Sequence, residues 1–187
     1  MAKVQLNSAL SGLSGRMDNW VFRRTRGGTA VAKRPTILGA ATPAQLAARE
    51  RFRLAAGYAK SALLDSALRR RYEAAGGSRG LPAYPVALAD YLTPPVVDAI
   101  DTGLYHGRVG DVIKVTAFDD FEVTGVAVIV RDGEGEILMR GAAVLADGRW
   151  SYAATAAIQV GESVTLEAVA TDRPGRTGSR SDSLVIA

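Results

Sequence analysis

Thr93-Pro94-Pro95 divides this chain. Two adjacent prolines lock φ, remove two backbone donors and push the preceding residue out of the α region, so regular structure stops there. The charge changes sign at the same place. Residues 1–94 carry fifteen Lys/Arg and five Asp/Glu, a net of +10, whereas residues 95–187 carry eight and fourteen, a net of −6. Helix-type periodicity precedes the joint and strand-type alternation follows it. The expected organisation is two unlike modules: residues 1–94, basic and α+β, and residues 95–187, acidic and all-β.

A length of 187 residues suits two small modules. Hydrophobic residues at 48% and charged residues at 22% are those of a folded chain. The absence of cysteine removes disulfides, zinc-thiolate sites and thiol nucleophiles, and a single histidine, His106, leaves any His-based chemistry to one residue. Met1 to Gly15 has no apolar core of signal-peptide length, and no run approaches the ~18 apolar residues of a membrane span. The sequence therefore predicts no membrane insertion. It places the chain in the cytoplasm by default and leaves export by a signal-less route open.

Along the first module, Val4, Leu6 and later leucines suit an extended arm or short strand. Trp20 to Arg26 and Thr29 to Arg34 flank Gly27-Gly28, which predicts a β-hairpin turning on the two glycines, with Phe22 opposite Lys33 and Arg24 opposite Val31. Thr42-Pro43-Ala44-Gln45 reads as a helix start, with Thr42 as cap, Pro43 at the first position and Gln45 reaching back. Leu46, Phe52, Ala56, Ala59 and Leu63 form the expected buried stripe of that helix. Asp65 or Ser66 caps a second helix ending at Gly76-Gly77, and Pro82 or Pro85 opens a third.

In the second module, alternation runs through Val112–Ala117, Gly125–Val130, Glu136–Arg140, Trp150–Ala154, Val164–Ala170 and Ser183–Ile186. Turn signals at Asp132-Gly133, Asp147-Gly148, Val160-Gly161 and Pro174-Gly175 separate these runs, a spacing that indicates an antiparallel sandwich.

Two stretches carry a resemblance. Asp119-Asp120, Gly125-Val126 leading into Val128 and Val130, Gly148-Arg149-Trp150-Ser151-Tyr152 and Ala170 to Gly175 make residues 112–181 similar to bacterial immunoglobulin-like domains of surface and adhesion proteins. That resemblance implies an immunoglobulin-like fold for the sandwich and says little about function. Ser14 to Arg23, Lys33-Arg34-Pro35, Thr42 to Gln45 and Arg49 to Phe52 resemble an uncharacterised bacterial family with a small-Gly-basic hairpin before a Gln/Arg/Phe helix. It brings no activity with it.

The hairpin is the strongest local feature, greasy at its base and cationic at its tip. Trp20, Phe22, Arg23, Arg24, Arg26, Lys33 and Arg34 form an expected subunit interface, joined by Val185 and Ile186 of an apolar terminal strand with no charged gatekeeper. Arg23, Arg24, Arg26 and Lys33 are equally suited to tracking phosphates beside stacking aromatics, so nucleic acid is the alternative partner. A solvated cationic surface over packed aromatics is the plain reading of the same residues. Asp119, Asp120, Asp132, Glu134, Glu136 and Asp172 are hard oxygen donors, but their spacing lacks a calcium-loop pattern and no metal site is assigned. With no nucleophile elbow and no phosphate-cradling loop, the sequence points to no enzyme, no catalytic residue and no cofactor. The expected function is structural: a chain that assembles head-to-tail with its own copies through complementary basic and acidic modules. An adhesion or carbohydrate-binding sandwich is a further alternative.

Overall fold

The computed structural model describes residues 2–3, 14–25, 28–36, 39–77 and 79–187. Its backbone falls into two units, residues 1–43 and 44–187. The Pro94-Pro95 joint therefore lies inside the second unit, and the three helices share that unit with the sandwich.

The first unit is a four-stranded antiparallel sheet in the order β1-β4-β3-β2, made of β1 (Ala2–Lys3), β2 (Gly15–Met17), β3 (Trp20–Thr25) and β4 (Gly28–Lys33). The β3–β4 hairpin is present, but its register differs from expectation. Phe22 faces Val31, Trp20 faces Lys33 and Thr25 faces Gly28, so Gly28 belongs to the strand and the connection is Arg26-Gly27. Those two connecting residues lie outside the described ones, as do Val4, Leu6 and the leucines that follow. Gly28 has φ +114, a conformation closed to residues with a Cβ, and its carbonyl accepts from Thr25 Oγ1 at 2.8 Å. The glycine is thus consumed in holding the strand end.

The second unit begins with α1 (Pro43–Ala62), α2 (Ser66–Gly77) and α3 (Ala83–Leu92). Helix α1 starts at the expected proline. The expected stripe is half right, because Leu46 and Phe52 are 54% and 53% exposed while burial falls on Ala55 and Ala59. Of the two candidate caps for α2, Asp65 has the role: its Oδ1 accepts the amides of Ala67 (2.8 Å) and Leu68 (3.3 Å). Helix α3 follows Pro82 and buries Ala83, Val86, Ala87 and Asp90, one continuous i, i+3, i+4, i+7 stripe. Tyr72, Ala59, Val86 and Ala87 meet in a small core, against which Phe121 of the sandwich packs. Among the described residues no helix is long and apolar enough to cross a membrane.

After the prolines come β5 (Val96–Leu104), β6 (Val112–Phe118), β7 (Val123–Arg131), β8 (Ile137–Ala142), β9 (Val144–Ala146), β10 (Arg149–Ala153), β11 (Ser163–Asp172) and β12 (Thr177–Val185). They form two antiparallel sheets, β5-β6-β10-β9 and β12-β11-β7-β8. Lettered A to G with β8 as C′, this is the ABED and GFCC′ arrangement of an immunoglobulin-like sandwich. Inward positions alternate cleanly along β11, where Val164, Leu166, Ala168, Ala170 and Asp172 are buried in turn. Asp147 (φ +51) and Gly148 (φ +76) form the primed two-residue turn between β9 and β10.

The joint itself is packed. Pro95 is fully buried, and Gly178 of β12 lies so close that a Cβ there would overlap the Pro95 carbonyl. Arg176 donates to Tyr91 O at 3.0 Å and Arg180 to Asp98 O at 2.7 Å, one on each side of the prolines.

Candidate functional site

The first candidate is the amino-terminal sheet. Because side chains alternate along strands, Trp20, Phe22 and Arg24 share one face with their partners Lys33, Val31 and Thr29, and with Met17 opposite Trp20. Arg16 and Arg23 lie on the other face with Val21, Ala30 and Ala32. Trp20 is 49% exposed and Met17 61%; Phe22 is half-buried, and Arg16, Arg23, Arg24, Lys33 and Arg34 are exposed. Among the described residues none of these five cations forms an ion pair. An open depression of about 400 Å³ lies at the hairpin base, bounded by Asn19, Lys33, Arg34, Pro35 and Thr36. There the Arg34 amide donates to Asn19 O at 2.7 Å. Arg26 lies outside the described residues.

Val185 and Ile186 belong to the other unit. Val185 is 58% exposed at the end of edge strand β12. Ile186 differs: it is 2% exposed and part of the sandwich core, its amide donates to Glu162 O at 2.9 Å, and its carbonyl accepts from Gly161 N at 2.9 Å. A side chain already sealed in the core has no surface to give to a neighbour.

Several of the expected oxygen donors shape turns. Asp132 Oδ1 accepts the amides of Glu134 and Glu136, both at 2.9 Å, and Asp119 Oδ2 accepts those of Phe121 and Glu122. His106 is exposed, and its amide donates to Asp111 Oδ2 at 2.7 Å.

The second candidate lies within residues 44–187. Where the helices meet the sandwich, Tyr72 is fully buried and stacks on Phe121 with centroids 4.1 Å apart. Its hydroxyl donates to Asp90 Oδ2 at 2.5 Å, so Tyr58, 2.9 Å away, must donate to Tyr72. Arg71 and Arg173 converge on Glu122 at 3.0 and 2.8 Å. Burial alone would raise the Glu122 carboxyl, but these two guanidiniums outweigh it and hold it below its ordinary range. A readable signal existed: Asp90 is the lone charge in helix 83–92 and falls on its apolar stripe.

The fold is thus an immunoglobulin-type sandwich capped by three helices, with a cationic sheet as a separate unit. No family model matches the chain, and no curated protein matches it. One similar solved structure is a tetra-tandem repeat from the extending region of a large adhesion protein, 26% identical with a TM-score of 0.38, covering 51% of this chain. The chain spans about a quarter, 24%, of that adhesion-protein chain. Another is a conjugative transposon lipoprotein from Bacteroides eggerthii DSM 20697, 14% identical with a TM-score of 0.27, covering 49% of this chain and 96% of that one.

Proposed function

We propose that the chain is a non-enzymatic structural subunit that assembles head-to-tail with copies of itself, its cationic sheet docking on the acidic sandwich of the next copy. The observation that carries this is the exposed set Arg23, Arg24, Lys33 and Arg34 around a half-exposed Trp20, without an ion pair among the described residues. Residues 1–43 hold seven Lys/Arg against one Asp/Glu, while residues 95–187 have a net charge of −6. Such a contact uses different patches on the two partners, so it closes into rings or runs on as filaments. Arg and Trp at its centre are the residue types that anchor interfaces.

Sedimentation velocity at micromolar concentration tests this. The expected result is oligomers at about 50 mM salt that dissociate by about 500 mM, and a monomer at low salt when Arg23, Arg24 and Arg34 are all changed to Ala. A wild-type monomer at both salt concentrations overturns the proposal. A second reading is favoured by one observation: Trp20 and Phe22 share a face with Arg24 and Lys33, as single-strand binders arrange aromatics and cations. Fluorescence anisotropy with a labelled oligonucleotide separates the two. Steeply salt-dependent binding by a monomer selects nucleic acid.

A further inference from the structure

Asp90 and Asp172 each occupy the last inward position of an apolar stripe, one on α3 and one on β11, and each is 1% exposed. Among the described residues both are incompletely partnered. Asp90 Oδ2 takes the Tyr72 hydroxyl, but its Oδ1 is buried with no hydrogen-bond partner. Asp172 Oδ1 takes the Arg176 amide at 2.5 Å, and its Oδ2 is equally alone. The turn between β6 and β7 adds a third carboxyl, since Asp119 Oδ1 is also buried and unpartnered. The three groups are close enough to act on one another electrostatically.

Nearby cations offset this only in part: the Arg176 charge and amide lower Asp172 without reversing the upward push of its burial. Arg173 and Arg71 are drawn to Glu122, and Arg176 extends its guanidinium to Tyr91 O and over the Tyr91 ring, 5.4 Å from its centroid. The remaining facing groups, Tyr58 and Tyr72, are neutral donors, and burial raises both hydroxyls above their ordinary range. Among the described residues no three carboxylates have the spacing of a metal cluster. Burial and like charge both disfavour full ionisation of these carboxyls, and the smallest remedy is a proton on an orphan oxygen, which turns it into a donor.

We infer that a proton held by the buried carboxyls Asp90 and Asp172 latches the helices onto the sandwich, and that the latch loosens as the proton is lost towards neutral pH. Burial first, then the charges of Asp119 and Asp172, push the Asp90 carboxyl up to about 6 against the lowering effect of the Tyr72 hydrogen bond. Burial and Asp119 raise Asp172 as well. The folded chain therefore binds this proton more tightly than the unfolded one. The stabilisation is complete below the unfolded carboxyl value of about 4 and fades as pH rises through about 6. Glu122, Glu50 and Asp111 are lowered instead, so their contributions are lost only at more acidic pH. Between about pH 7.5 and pH 5 the cluster decides the sign.

The test is the melting temperature of the full chain across that interval, for wild type and Asp90→Asn. Wild type is expected to melt higher at about pH 5 than at about pH 7.5. Asn, a neutral near-isostere, is expected to flatten the slope and to match or exceed wild type at the upper pH. A wild-type melting temperature that falls on acidification, or a slope unchanged in Asp90→Asn, overturns the inference. So does a rise with millimolar calcium at about pH 7.5 in wild type alone, which would assign the orphan oxygens to a cation. If the variant does not fold, the Asp90 carboxyl carbon is titrated by NMR in the wild-type chain. A midpoint near 6 supports the latch, and one at or below about 4 overturns it.

Discussion

At Gly178 the space for a side chain is filled by the carbonyl of Pro95. Backbone cannot swing aside as the end of a lysine can, so Gly178→Ala must part the joint from β12. We expect a loss of about 1–3 kcal/mol or more, read as a shift of the urea midpoint. Gly175, one turn away, has open space around its Cβ position but φ +83, so its requirement is conformational rather than steric. Neither constraint is written in the local sequence, because Pro95 and β12 meet through the fold. Asp90 is a different case. A carboxylate at i+7 of an apolar stripe in residues 83–92 is visible as an anomaly, although its partners on α2, the β6–β7 turn and β11 are not.

Among the elements, the strands with clean alternation were legible. Strand β5 leaves no such signal because Val96 to Leu104 carries exposed apolar and acidic residues and two register shifts, which break the period-two pattern. Strand β9 is three residues long and has no period to read. The hairpin register shifted because Gly-Gly is a strong turn signal, yet a single glycine with φ +114 at a strand end satisfies the same preference. In α1 the apolar spacing misleads, because its first twelve residues leave Leu46, Phe52 and Leu54 exposed. This contrast sets a second expectation. Leu166→Ala in the middle of β11, at 0% exposure, is expected to cost about 2–5 kcal/mol. Leu64→Ser, at 86% exposure in the turn after α1, is expected to change stability by less than about 0.5 kcal/mol in the same denaturant assay.

For the whole molecule, the change of charge and the change of unit fall in different places. The sequence shows the former at residue 94, whereas the backbone divides after residue 43, because Tyr72, Tyr91 and Arg71 are tied across residue 94 to Phe121, Arg176 and Glu122. A chain of residues 44–187 retains every group of the carboxylate cluster, so its melting temperature is expected to follow pH as the full chain does. A chain of residues 95–187 loses the Tyr72 ring over Phe121 and is expected to melt lower at every pH, checked by circular dichroism. The buried Pro95, braced by Arg176 and Arg180 on its two flanks, makes the Pro94-Pro95 step a weld and not a swivel. A torque applied to the helical cap is therefore delivered straight to the carboxyl-terminal strand, and the cap and sandwich turn as one lever.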